Sequence, residues 1–111
     1  MAEDCPDHRS CDGALVRVFG LLGKRWNGVI IGTLATGPAG FAELRRAIGG
    51  ISDSMLSDRL TELAATGLVR REVRDGPPLS VSYHLSPRGT ALLPALDALA
   101  KWAAEHLPAD C

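Results

Sequence analysis

An α+β domain, mainly helical with one small β-hairpin, is what this sequence predicts. Three observations point there. Apolar residues recur at helical spacing through most of the chain, the period drops to two after Gly67, and it returns to helical after Ser86-Pro87. A chain of 111 residues, 46% hydrophobic and 5% aromatic, suits one domain rather than two. Residues 1–12 lack periodicity and read as an acidic flexible tail, which leaves 13–111 as the single domain.

Each element has a start, a stripe and a stop. From Ala14, the residues Leu15, Val18, Phe19 and Leu22 keep helical spacing, and Gly23 stops the first helix. A second helix runs from Trp26 to Leu34 on the stripe Trp26, Val29, Ile30 and Leu34, with Trp26 read as core. Thr36-Gly37-Pro38 ends it, because glycine accepts a left-handed conformation and proline cannot continue a helix. Phe41, Leu44, Ala47 and Ile48 mark a third helix that stops at Gly49-Gly50. Ser52 then sits at the N-cap position of a fourth, carried by Leu56, Leu60 and Leu63 and closed by Gly67. Val69 and Val73 alternate on one side of Asp75-Gly76-Pro77-Pro78, and Leu79, Val81, Tyr83 and Leu85 on the other, which predicts a hairpin over 68–85. Ser86 and Pro87 open a final helix over 87–107, with Leu92, Leu96, Leu99 and Ala103 on one stripe and Leu93, Ala100 and Leu107 beside it. Pro94 is expected to kink its first turns.

Two helices over about 41–66, joined by the glycine-containing stretch Ile48 to Ser52, have the form of a helix-turn-helix. A hairpin directly after it makes the whole a winged helix-turn-helix, in which the second helix enters a DNA major groove and the hairpin reaches the phosphates.

The charge distribution agrees. The total is near neutral, 12 Lys+Arg against 13 Asp+Glu. Residues 1–12 hold Glu3, Asp4, Asp7 and Asp12 against Arg9, and residues 91–111 hold Asp97, Glu105 and Asp110 against Lys101, so the basic excess is concentrated in the middle of the chain. Taking Leu56 as inward and 100° per residue, Leu60 and Leu63 share its face while Ser54, Asp58 and Thr61 oppose it and Ser57 flanks them. The predicted base-facing set is therefore Ser54, Ser57, Asp58 and Thr61, with Ser52 at the helix N-terminus. Predicted phosphate contacts are Lys24, Arg25, Arg45, Arg46, Arg59 and Arg74; Arg70, Arg71 and Arg88 are further bases nearby, and Arg71 falls on the side facing its own hairpin.

The runs Leu22-Gly23-Lys24-Arg25-Trp26, Gly40 to Arg46, Gly50-Ile51-Ser52, Met55 to Leu60, Gly67-Leu68-Val69 and Tyr83 to Gly89 resemble the HxlR-type bacterial transcription regulators in order and spacing, over about residues 14 to 106. The resemblance implies a homodimer that binds double-stranded DNA at an inverted-repeat operator, most often as a repressor and often under the control of oxidants or electrophiles, with no enzymatic activity; a small-molecule effector is the other expected control. The acidic, polar start of the sequence, unlike a signal peptide, predicts a cytoplasmic protein. The first and last helices are the predicted dimer seam, with Leu15, Phe19, Leu92, Leu96, Leu99 and Trp102 as its residues. The position to which many members give a cysteine, usually followed by proline, is Gly13 here, and the nearest thiol is Cys11, followed by Asp12.

Cys5, Cys11 and Cys111 make an odd number at the chain's two ends, unlike a secreted disulfide framework. Cys11 and Cys5 are candidate redox thiols. Cys5, His8 and Cys11 fall three apart, but a structural zinc site takes four ligands, so no metal and no cofactor is assigned. His8, His84 and His106 form no nucleophile–base spacing, which argues against an enzyme. The rival function is a winged helix used for protein–protein contact, which the serine- and acid-rich fourth helix keeps open. No apolar run reaches the length of a membrane span.

Overall fold

In the computed structural model, which describes residues 12–109, Asp12 opens the chain by capping helix α1 (Gly13–Leu22), its carboxylate accepting from the Leu15 N–H at 3.1 Å. Gly23 ends α1. Helix α2 (Asn27–Thr33) passes into a 3₁₀ turn at Leu34–Thr36, followed by α3 (Phe41–Ile48), α4 (Asp53–Ala65), strands β1 (Val69–Arg74) and β2 (Ser80–Leu85), and α5 (Pro87–His106). β1 and β2 pair antiparallel with Val69 opposite Leu85, Arg71 opposite Tyr83 and Arg74 opposite Ser80. Ala39 adds a bridge on the open side of β2: its N–H donates to the Tyr83 carbonyl at 3.0 Å, and the Tyr83 N–H returns the bond at 2.8 Å. The linker before α3 thereby anchors the root of the wing. This is the winged helix-turn-helix arrangement, α+β as predicted.

The turn of the helix-turn-helix depends on Gly49 and Gly50, at φ of 72° and 73°, where a Cβ would be strained. Beyond it Ser52 caps α4, accepting from the Met55 N–H at 3.1 Å. Leu56, Leu60 and Leu63 of α4 are buried in one cluster with Ile30, Ile31, Leu34, Leu44, Ile51, Leu68 and Val69. Each such side chain contributes about 1.5–3 kcal/mol by leaving water.

Two expectations are corrected. The second helix starts at Asn27, not Trp26, because Trp26 takes a left-handed conformation at φ 83°. The buried stripe is consequently Asn27, Ile30, Ile31 and Leu34, while Trp26 is half-buried at the margin of the core and Val29 is exposed. Leu79 lies outside β2 and, like Val73, is exposed, since the outer part of the hairpin extends past the core. Pro94 lies inside the last helix, which spans Pro87 to His106.

The α4–wing–α5 joint is tightly built. Ser86 is buried, donates through its hydroxyl to the Gly67 carbonyl, and accepts from the Gly89 N–H at 3.1 Å to cap α5. A Cβ on Gly89 would collide with the Leu68 carbonyl and approach the Leu85 side chain to 3.2 Å. Gly89→Ala is therefore expected to destabilise the protein by about 1–3 kcal/mol in chemical denaturation, despite alanine's better helix propensity. An unchanged or higher midpoint would contradict this packing.

Candidate nucleic-acid interface

With its leucine stripe buried, α4 presents the opposite face to solvent. Ser54, Ser57, Asp58 and Thr61 are all exposed there, and Ser52 and Asp53 are exposed at its N-terminus. Hydroxyls donate or accept at most base edges and a carboxylate accepts from the cytosine amino group, so this face can read bases without arginine–guanine pairing. The helix is held at its N-terminus by α3: Arg45 donates to the Asp53 carboxylate at 2.8 Å. Arg46, its neighbour, is exposed and has no ion pair with a described residue.

The predicted phosphate set does not form one patch of free charge. Glu62, on α4, accepts from Lys24 of the α1–α2 loop and, at 3.0 Å, from Arg59 of its own helix. Arg59 is largely covered, with its Nε buried and unpartnered among the described residues. Arg25 lies over the Trp26 ring at 4.7 Å, a cation–π contact. Antiparallel register divides the wing cleanly. Arg70, Glu72 and Arg74 share one face with Ser80, Ser82 and His84, while Arg71 sits on the other face opposite Tyr83. Arg74, nearest the hairpin tip, is exposed and has no ion pair with a described residue. Arg88 is exposed and donates to the Thr66 carbonyl at 3.2 Å, fastening α5 to the end of α4.

Of the predicted seam, Leu15, Phe19, Leu99 and Trp102 are about half exposed, as are Val16 and Leu107, and Leu92 and Leu96 pack partly against the core. Trp102 also stacks at a tilt on His106, ring centroids 5.3 Å apart. Cys5, Cys11 and Cys111, and the Cys5–His8–Cys11 spacing, lie outside the described residues.

A helix-turn-helix, a flanking wing and an exposed polar recognition face are the features by which comparison with known proteins can be judged. Residues 21–111 match the family described as HxlR-like helix-turn-helix. The chain belongs to this family. It is similar to the HTH-type transcriptional regulator YodB of Bacillus subtilis, 45% identical over 85 residues, 77% of this chain and 76% of that protein. Among solved structures, the reduced form of YodB superposes with a TM-score of 0.79 at 37% identity, covering 92% of this chain and all of that one. The oxidised redox regulator HypR superposes at 0.80 with 29% identity, covering 86% and 98%. A quinone-bound form of YodB gives 0.74 at 39% identity, covering 85% and 99%. This member of the HxlR-like family is a DNA-binding transcriptional regulator, not an enzyme. No helix among the described residues is long and apolar enough to cross a membrane.

Glu62 was not singled out by the sequence reading, although its i, i+3 spacing from Arg59 was visible. Its partner Lys24 lies 38 residues away, and only the fold brings the two together. The Lys24 hydrogen bond holds the Glu62 carboxyl below its ordinary value of 4.5; partial burial opposes this, and Arg59 adds to the lowering. A carboxylate with a lowered folded-state pKa gives stability that is present above the ordinary value and lost as pH falls through the folded one. The stability difference between the wild type and Glu62→Gln should therefore shrink as pH drops below the ordinary carboxylate range, measured by denaturation as a function of pH. A difference independent of pH would contradict it.

Proposed function

We propose that the protein is a cytoplasmic, homodimeric repressor that binds an inverted-repeat operator and releases it in response to an oxidant, an electrophile or a small ligand. The observation that carries this reading is the pairing of two unfinished surfaces on one chain: the exposed polar face of α4, and the exposed apolar residues Leu15, Phe19, Leu99 and Trp102 of α1 and α5. A two-fold axis through the terminal helices would cover the second and present two copies of the first to half-sites about one DNA turn apart.

In this reading Ser54, Ser57, Asp58 and Thr61 meet base edges, and the N-terminus of α4 at Ser52 receives a phosphate. Arg46 and Arg74 supply phosphate contacts directly. Arg45 positions α4 through Asp53, and Lys24 and Arg59 position it through Glu62. Arg25 flanks the site from its seat on Trp26. Leu92 and Leu96 extend the seam from the core side.

Control by oxidation is supported by the redox and quinone forms in which YodB and HypR were solved. Cys11 is the proposed sensor and Cys5 its resolving partner. In the sequence Cys11 directly precedes Asp12, whose carboxylate caps α1. Mobility shifts with and without diamide test it: wild type should be released and Cys11→Ser should stay bound. Release of both alike, or of neither, would remove Cys11 as the switch.

Division of labour on DNA is tested separately. Arg74→Ala should weaken binding to all sequences alike and lower the log–log salt slope by about one, whereas Ser57→Ala and Asp58→Ala should change base preference. Equal relative losses on cognate and scrambled duplex for all three would contradict the assignment. In sedimentation, the wild type should be dimeric at micromolar concentration and a Phe19→Ser, Trp102→Ser double variant monomeric. A wild-type monomer would refute the seam.

A further inference from the structure

The tip of the wing carries apolar surface where a turn is ordinarily polar. It reads Asp75-Gly76-Pro77-Pro78-Leu79, and every residue from Arg70 to Ser80 is exposed. Leu79, 66% exposed, is the most open large apolar side chain among the described residues, and Val73, opposite Val81 in the register, is 45% exposed. Leu79 comes two residues before Val81, so strand alternation brings it to the face of Val73 and Val81. The seam proposed for α1 and α5 does not account for this patch, because the wing belongs to neither helix.

Bases flank the patch on both faces of the hairpin. Arg71 shares the face of Val73, two residues nearer the root, and Arg74 lies on the opposite face. Neither has an ion pair with a described residue. Of the two acids, Glu72 lies on the Arg74 face, 3.9 Å from His84, and Asp75 opens the turn. An apolar centre bordered by cations fits a partner with an apolar interior between two lines of negative charge. Duplex DNA has that order, stacked base faces between phosphate strands, and it is the ligand class of this family.

Dimensions narrow the mode of contact. Two strands about 4.8 Å apart, with their side chains, are too wide to lie in a minor groove about 6 Å across. Only the turn can enter, and only where the groove is opened. Partial unstacking of one base step by an apolar side chain opens it, with a kink toward the major groove.

We propose that the wing tip is a wedge: Leu79 enters the minor groove and inserts at one base step, backed by Val73, while Arg71 and Arg74 hold the bordering phosphates. The duplex is kinked at a position that α4 does not read. Pyrimidine–purine steps unstack with least cost, so Leu79 selects a TA or CA step through its deformability rather than through hydrogen bonds. The inference rests on the reading of α4 and the wing as one DNA-binding surface.

The probe is the tightest-binding duplex that the full chain selects from random sequence, carrying 2-aminopurine in turn at each step outside the α4 contacts. With wild type, 2-aminopurine fluorescence should rise at one step, and circularly permuted duplexes should report a bend of roughly 20–90°. Leu79→Ser, at an exposed position, should keep the denaturation midpoint yet lose both signals, and Leu79→Met should retain them. Replacing the pyrimidine–purine step by an A-tract should weaken wild type about tenfold and leave Leu79→Ser unaffected. The wedge is overturned by a straight wild-type complex, by a bend and step preference that survive Leu79→Ser, or by a Leu79→Ser variant that loses the dimer in sedimentation, which would make the tip a contact between copies. Failure of the wedge alone leaves the base preferences set by Ser57 and Asp58 intact, whereas a chain that selects no duplex overturns the DNA-binding surface and the wedge together.

Discussion

Burial of Leu56, Leu60 and Leu63 is the constraint from which the rest of the structure follows. The three leucines lie along one side of α4 and are covered by the apolar side chains of α2, α3 and the base of the wing. Their opposite face must therefore point outward, with Ser54, Ser57, Asp58 and Thr61 on it. The apolar term that stabilises the domain also aims the proposed reading surface. The Ser52 cap, the Arg45–Asp53 pair and the Ser86 joint then fix where the helix starts and ends relative to its neighbours.

Electrostatics are organised around this helix rather than on it. Arg59 is its only base, and Glu62 engages that base together with Lys24. Charge available to a polyanion lies on α3 and the wing, at Arg46, Arg70 and Arg74. In the proposed function phosphate affinity and base discrimination then belong to different elements, an arrangement that would let the polar face of α4 vary without loss of general DNA attraction.

Much of this was legible in the chain. The α4 stripe could be read because its leucines keep helical spacing between a serine cap and a glycine, with no strained residue to disturb the phase. Asp75-Gly76-Pro77-Pro78 marked the wing for the same reason: local turn chemistry decides local geometry. What failed to show was non-local. The positive φ of Trp26 shifts the α2 stripe by one residue, which brings Asn27, absent from the predicted stripe, into the buried set and leaves Val29 exposed. Leu79 and Val73 keep strand alternation yet stay exposed, because periodicity gives the face of a strand but not whether anything covers it. Lys24 and Arg59 looked like free bases; their pairing with Glu62 depends on how the α1–α2 loop meets α4. The exposed Leu15, Phe19, Leu99 and Trp102 were identifiable as an apolar excess, and the fold leaves them open to solvent in the single chain.

The central claim is that one chain carries half of a two-fold DNA-reading unit, with α4 as the reading element and α1 and α5 as the axis. The most direct test is the dependence of affinity on half-site spacing, using an inverted repeat selected by the protein from random duplex. Inserting about half a helical turn between the half-sites should put the second α4 on the wrong side of the DNA and reduce binding toward the non-specific level, at a fixed salt concentration. Affinity that does not change with the insertion would mean that the two recognition helices are not held by a rigid dimer, and would contradict the account.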